Sequence, residues 1–129
     1  MINSRKSRFS DGLGGANLTI GHNVGMSSPT IWCDERIIIG NDVRIGALVT
    51  IMDTDCHSLN YEDRMNGDKK TKTKPVVIEE GVLIGAQSIV LKGSRIGAHS
   101  VIGAGSVVCG NIPSDCIAAG NPCKVIRKL

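Results

Sequence analysis

From residue 78 the chain can be cut into sixes without adjustment: IEEGVL, IGAQSI, VLKGSR, IGAHSV, IGAGSV, VCGNIP. The leading residues are Ile78, Ile84, Val90, Ile96, Ile102 and Val108. Glycine follows at 85, 97 and 103, and serine holds the fifth place at 88, 94, 100 and 106. Ile39, Ile45 and Ile51 keep the same beat upstream, and a weaker form surrounds Leu18, Ile20 and Val24. An α-helix needs apolar spacings of three and four, and an amphipathic strand alternates at two. A strict six with glycine punctuation instead fits short strands separated by tight turns and stacked coil on coil, with the leading residues piled inside as ladders.

Composition agrees with a narrow, layered interior. The 129 residues include one Phe, one Trp and one Tyr, so a core has to be built from Ile, Val, Leu and Ala. That length suits a single domain over 1–129. A net charge of +3 with almost no aromatic stacking platforms argues against a nucleic-acid partner. No run approaches the ~18 apolar residues of a membrane span. The opening stretch MINSRKSRFSDGLGG has no apolar h-region, so no secretory leader is expected. Five cysteines (33, 56, 109, 116, 123), an odd number without a CxxC pair, are expected as reduced thiols at inward positions in a cytoplasmic protein.

The beat breaks at MDTDCHSLN, residues 52–60. Counting in sixes from Ile51 puts the next leading position on His57, and Ile78 is out of phase with that count. An inserted loop at about 58–75, SLNYEDRMNGDKKTKTKP, accounts for the break, and long loops in compact folds are usually functional or disordered. His57 stands at its root. His22 and His99 fall at non-leading positions and read as solvent-facing residues.

IGAQSI, IGAHSV and IGAGSV resemble the hexapeptide repeat of the left-handed parallel β-helix. The ending IAAGNPCKVIRKL, residues 117–129, is a basic closing segment similar to that of hexapeptide acyltransferases. The likeness covers roughly residues 18–129 and is narrowest to galactoside, maltose and capsular-polysaccharide O-acetyltransferases. It implies an all-β prism, a homotrimer, and acetyl-CoA lying in the groove between two prisms. It also implies that the inserted loop is an arm walling a neighbour's cleft. The acceptor would be a saccharide hydroxyl, with a xenobiotic acetyltransferase or a non-catalytic prism as alternatives.

Residue by residue, the resemblance puts His57, in a D-x-D-x-H stretch, at the catalytic position. Imidazole suits such a transfer, because it can take the acceptor proton as oxygen attacks the thioester and return it to the departing thiolate. Asp53, Asp55 or a backbone carbonyl would orient the ring. Cys56 is read as pointing away from His57 along an extended segment. Ala86 and Ala104 match turn positions that approach the pantetheine arm, and Cys109 stands where relatives often carry Thr. Lys124 and Arg127, with Lys128 adding charge, match the phosphate-binding ending. Leu83 replaces a frequent Trp. Ser27 and Ser28 are acceptor-binding candidates together with Asp55, and Trp32 is either an acceptor-lining ring or a coil corner. The three histidines lie too far apart along the solenoid for a shared zinc, so no metal is expected.

Overall fold

The computed structural model describes residues 15–129 and the backbone of Ile2–Asn3. Residues 1 and 4–14, which make up most of the opening stretch MINSRKSRFSDGLGG, lie outside the described residues. In chain order the strands are β1 (Ile2–Asn3), β2 (Asn17–Ile20), β3 (Gly25–Met26), β4 (Thr30–Trp32), β5 (Arg36–Ile39) and β6 (Arg44–Ile45). Then come β7 (Thr50–Met52), β8 (Val76–Ile78), β9 (Leu83–Ile84), β10 (Ile89–Val90) and β11 (Arg95–Ile96). The last are β12 (Val101–Ile102), β13 (Val107–Val108), β14 (Asn111–Ile112), β15 (Cys116–Gly120) and β16 (Cys123–Lys128). One short helix, α1 (Tyr61–Met65), lies between β7 and β8.

Every third strand joins the same sheet. The first face runs β1-β4-β7-β10-β13, the second β2-β5-β8-β11-β14, and the third β3-β6-β9-β12-β15-β16. All pairings are parallel except β15 with β16, where the chain reverses at Asn121-Pro122 and closes the third face antiparallel. The result is an all-β parallel β-helix of about five turns.

The leading residues form three internal ladders. Ile31, Ile51, Val90 and Val108 stack on the first face. Ile39, Ile78, Ile96 and Ile112 stack on the second, and Ile45, Ile84, Ile102 and Ala118 on the third. All are buried, each contributing roughly 1.5–3 kcal/mol of apolar transfer for a Val or Ile. The fifth places are buried too. In the upper coils they are Val43, Val49, Val76 and Val82; in the lower coils they are Ser88, Ser94, Ser100 and Ser106. Each hydroxyl is satisfied by a backbone carbonyl: Ser88 and Ser106 donate to Gly103 O, Ser94 to Val108 O and Ser100 to Pro113 O.

The core differs from the expected composition in one respect: among the described residues no leucine is fully buried, while Cys33 and Cys116 lie inside with Ile, Val and Ala as expected. The expectation of inward cysteines fails for Cys109, which is exposed, and holds only partly for the half-buried Cys56 and Cys123.

Most turns between faces contain a residue with positive φ. On the edge from the third face to the first these are Ser28, Leu48, Gln87 and Gly105. Glycine after the leading isoleucine serves a different need. A Cβ on Gly85 would lie 2.5 Å from Ala104 N and 2.8 Å from Ile102 O, both backbone atoms of the next coil. Gly85→Ala is therefore expected to cost about 1–3 kcal/mol, as overpacking against an immobile neighbour does. Chemical denaturation of the purified variant checks this; wild-type stability would mean that the coil spacing relaxes freely.

The register measures the insertion. Val90 pairs with Val108, 18 positions on, whereas Ile51 pairs with Val90, 39 positions on. The coil between β7 and β8 thus carries 21 extra residues and still returns in register. Among the described residues no helix is long and apolar enough to cross a membrane.

Candidate active site at the root of the inserted arm

The arm leaves the prism at Asp53 and returns at Pro75. Its stem is a short antiparallel pair: Asp55 N–H donates to Lys72 O (3.0 Å), Lys74 N–H to Asp53 O (2.9 Å), and Thr54 bridges Thr73. Its tip is α1, capped by Asn60, whose side chain accepts from Asp63 N–H. Arg64 reaches back from the helix, its Nη1 donating to Ser58 O at 2.8 Å.

His57 lies just beyond the stem, with its side chain 65% exposed and outside the aliphatic ladder. Its Nδ1 is 2.5 Å from Asp68 Oδ2. The other oxygen of Asp68, Oδ1, accepts the Ser58 N–H. One carboxylate therefore grips both the imidazole and the backbone beside it. The Ser58 N–H, and after it the His57 side chain, hold the Asp68 carboxyl below its ordinary range. An ionised carboxylate only accepts, so Nδ1 carries the ring proton and Nε2 of the neutral imidazole offers its lone pair to solvent.

Asp68 was not among the residues singled out from the sequence. It lies 11 positions after His57 in a stretch without periodicity. The two aspartates that were singled out go elsewhere. Asp53 is fully buried and accepts three consecutive N–H groups, from Asp34 (2.8 Å), Glu35 (2.8 Å) and Arg36 (2.7 Å). It pins the adjacent coil to the base of the arm. Burial raises its pKa, against the three N–H bonds that lower it. Asp55 Oδ1 pairs with Lys92 Nζ at 3.0 Å, and Oδ2 is buried without a hydrogen-bond partner among the described residues.

The segment before His57 is not extended: Cys56 has a φ of +64°, so the alternation used to turn Cys56 away from His57 does not apply. Cys33, the other thiol near the stem, is pushed up to about 12, first by burial and then by the Asp53 charge, so it stays protonated at neutral pH. Trp32 is half-buried, its Nε1–H donating to Asp34 Oδ1 at 3.2 Å.

The remaining candidates fall on other parts of the prism. Ser27, Ser28, Ala86 and Ala104 share the edge from the third face to the first. Their coils are joined there by Leu48 N–H to Ser27 O, Gln87 N–H to Ala47 O and Gly105 N–H to Ala86 O. Cys109 follows β13 on the next edge, the one from which the arm springs. Leu83 is 44% exposed on the third face, where Lys124 and Arg127 lie on the rim strand β16, opposite Ala119 and Ile117. Within one chain, the first face therefore separates His57 from Ala86 and Ala104. His22 and His99 lie on the edge between the second and third faces, His99 Nδ1 being 3.0 Å from Asp115 Oδ1. Among the described residues no three His, Cys, Asp or Glu side chains are grouped to hold a metal.

Residues 75–110 match the family described as bacterial transferase hexapeptide (six repeats). A galactoside O-acetyltransferase of Lactococcus lactis is 43% identical over 122 residues, 94% of this chain and 58% of that protein. The crystal structure of a maltose O-acetyltransferase from Clostridium difficile superposes with a TM-score of 0.81 at 33% identity, covering 100% of this chain and 67% of that one. A galactoside acetyltransferase solved in complex with coenzyme A gives 0.78 at 34% identity, over 98% and 64%. The chain belongs to the hexapeptide-repeat transferase family. It spans just over half the length of the curated relatives it matches.

The lowered pKa of Asp68 fixes the pH behaviour of the latch. Its stabilising contribution is fully present above the ordinary value of 3.8 and is lost as pH falls through the lower folded value. Hydrogen-exchange protection at Ser58 N–H is expected to hold above pH 3.8 and to fall away below it. Asp68→Asn is expected to abolish that pH dependence; an unchanged profile would mean that Asp68 is not the latch.

Proposed function

We propose that the protein is an acetyl-CoA-dependent O-acetyltransferase acting on a saccharide hydroxyl, such as that of a cell-surface or capsular polysaccharide precursor. The observation that carries this reading is the exposed imidazole of His57 with Nδ1 held by Asp68. That arrangement leaves Nε2 as a general base. The acceptor hydroxyl gives its proton to Nε2 as its oxygen attacks the thioester carbonyl of acetyl-CoA. The tetrahedral oxyanion collapses, the C–S bond breaks, and the imidazolium returns its proton to the CoA thiolate. Asp68 stabilises the imidazolium through the same contact that orients the ring.

Acetyl-CoA is a substrate here, and the family's CoA complexes support assigning it a groove lined by this chain. Ala86 and Ala104, small residues on one turn edge, would let the pantetheine arm approach the backbone, with Cys109 contributing from the next edge. Lys124 and Arg127, exposed on the rim strand, would hold the phosphates, Arg through paired hydrogen bonds and Lys as a point charge. Ser27 and Ser28, also exposed, and Asp55, with its unpartnered buried oxygen, are assigned to the acceptor. The reaction is assigned to the cytoplasm, a reducing compartment that keeps the exposed Cys109 a thiol.

A homotrimer completes the reading. His57 and the small-residue edge stand on opposite sides of the first face, so a site containing both needs a second prism. The exposed apolar residues Tyr61 and Met65 give the arm a surface to set against a neighbour. Analytical ultracentrifugation is expected to give the mass of three 13.6 kDa chains, whereas a monomer active in transfer would remove the shared-site proposal.

The reaction itself is tested by acetyl-CoA consumption with a panel of sugars and glycans. His57→Ala is expected to lower kcat by a factor on the order of 10²–10⁴, the usual share of a positioned general base. Equal turnover by both proteins would remove His57 from the catalytic role.

A further inference from the structure

The returning limb of the arm carries Lys69, Lys70, Lys72 and Lys74 within six residues. Its backbone is fixed rather than loose. Lys70 N–H donates to Asp63 Oδ2 at 2.8 Å, and Lys72 O and Lys74 N–H are the stem bonds to Asp55 and Asp53. The ammonium groups are another matter. Lys70 and Lys72 are exposed, and among the described residues neither forms an ion pair. Three carboxylates of the arm and its root are already engaged: Asp68 by His57 and Ser58, Asp63 by Lys70 N–H, and Asp55 by Lys92.

Lys70 and Lys72, with Ser58, Leu59 and Asn60, line a cavity of about 200 Å³. The far wall is held as firmly as the lysine backbone. Ser58 is 2% exposed, with its N–H bound by Asp68, its carbonyl by Arg64, and its Oγ accepting from Asn60 N–H at 3.2 Å. Asn60 Oδ1 is taken by Asp63 N–H, which leaves the amide NH2 to donate. Leu59, 77% exposed, adds an apolar surface suited to the C–H face of a sugar ring. The wall begins one residue after His57, and the Asp68 carboxylate that fixes the imidazole fixes Ser58 too. Cavity and imidazole therefore share an anchor.

Two ammonium groups at one cavity repel each other unless an anion lies between them. We propose that this cavity is an acceptor subsite for an anionic group, carboxylate or phosphate, so that the preferred acceptor is an acidic or phosphorylated saccharide. The inference rests on the O-acetyltransferase reading for the transfer step and on the cavity alone for binding.

The test compares wild type with the double variant Lys70→Gln/Lys72→Gln on a neutral methyl hexoside, the corresponding uronic acid glycoside and the hexose phosphate. Binding is measured by ligand-observed NMR without acetyl-CoA, and transfer by kcat/KM, with the KM of acetyl-CoA read in the same runs. The wild type is expected to favour at least one anionic acceptor by about tenfold, as a hydrogen bond to an ionised group does, and added salt is expected to weaken that preference. The double variant is expected to lower the anionic-to-neutral ratio by about tenfold. The uronic acid and phosphate arms tell which anion is taken. No anionic preference in wild-type binding overturns the subsite, and so does an equal loss on neutral and anionic acceptors. A raised KM for acetyl-CoA with an unchanged acceptor ratio also overturns it, giving the lysines to the CoA phosphates instead. Anion-selective binding without acetyl transfer upholds the subsite and removes the O-acetyltransferase reading.

Discussion

A parallel strand of two or three residues makes too few hydrogen bonds to persist alone. Most strands of this prism are of that length, so each coil exists because the coils above and below complete its hydrogen bonds and cover its aliphatic residue. The constraint is strict at the insertion. The 21 extra residues have to begin and end where β7 and β8 leave off, or the ladders from Ile51 to Val90 and from Ile39 to Ile78 would lose register. Asp53 meets that demand from inside: its carboxylate gathers three N–H groups of the coil before, at the point where the chain departs.

The chemistry of the arm depends on that footing. A rigid stem carries His57 out of the ladder without giving it freedom to wander, and Asp68 returns from the far limb to fix the ring. The lysines come back on that same limb. The arm therefore carries an exposed, oriented imidazole and a run of lysines in one insertion, on a footing that the prism keeps in register.

The fold was legible because the repeat is a physical demand rather than a statistical tendency. Ile84 and Ile102 stack because the coil between them is three sixes long, and Gly85 is needed because Ala104 N leaves no room for a Cβ. The break at His57 was legible for the same reason, as a phase error between Ile51 and Ile78. What replaced the repeat was not. The choice of Asp68 over Asp53 and Asp55 depends on the reach of an arm whose path no periodicity encodes, and all three are aspartates near a histidine in sequence. The turn at Cys56 was missed because nothing local marks a cysteine for positive φ. The separation of Ala86 and Ala104 from His57 across the first face follows from counting edges, a step that the six-residue period supplies only once the strands are placed.

The change from buried valine to buried serine divides the prism in two. Val43, Val49, Val76 and Val82 cohere by contact that is indifferent to direction. Ser88, Ser94 and Ser100 each aim a hydroxyl at one carbonyl of the coil beyond. Aliphatic rungs resemble one another closely enough for a coil to slide and still find an isoleucine opposite. A hydroxyl out of place meets no acceptor, and buried it then carries the full cost of its lost water. The serines thus work as a key cut into the lower coils: they add little attraction of their own, but they make the correct stacking order the only inexpensive one.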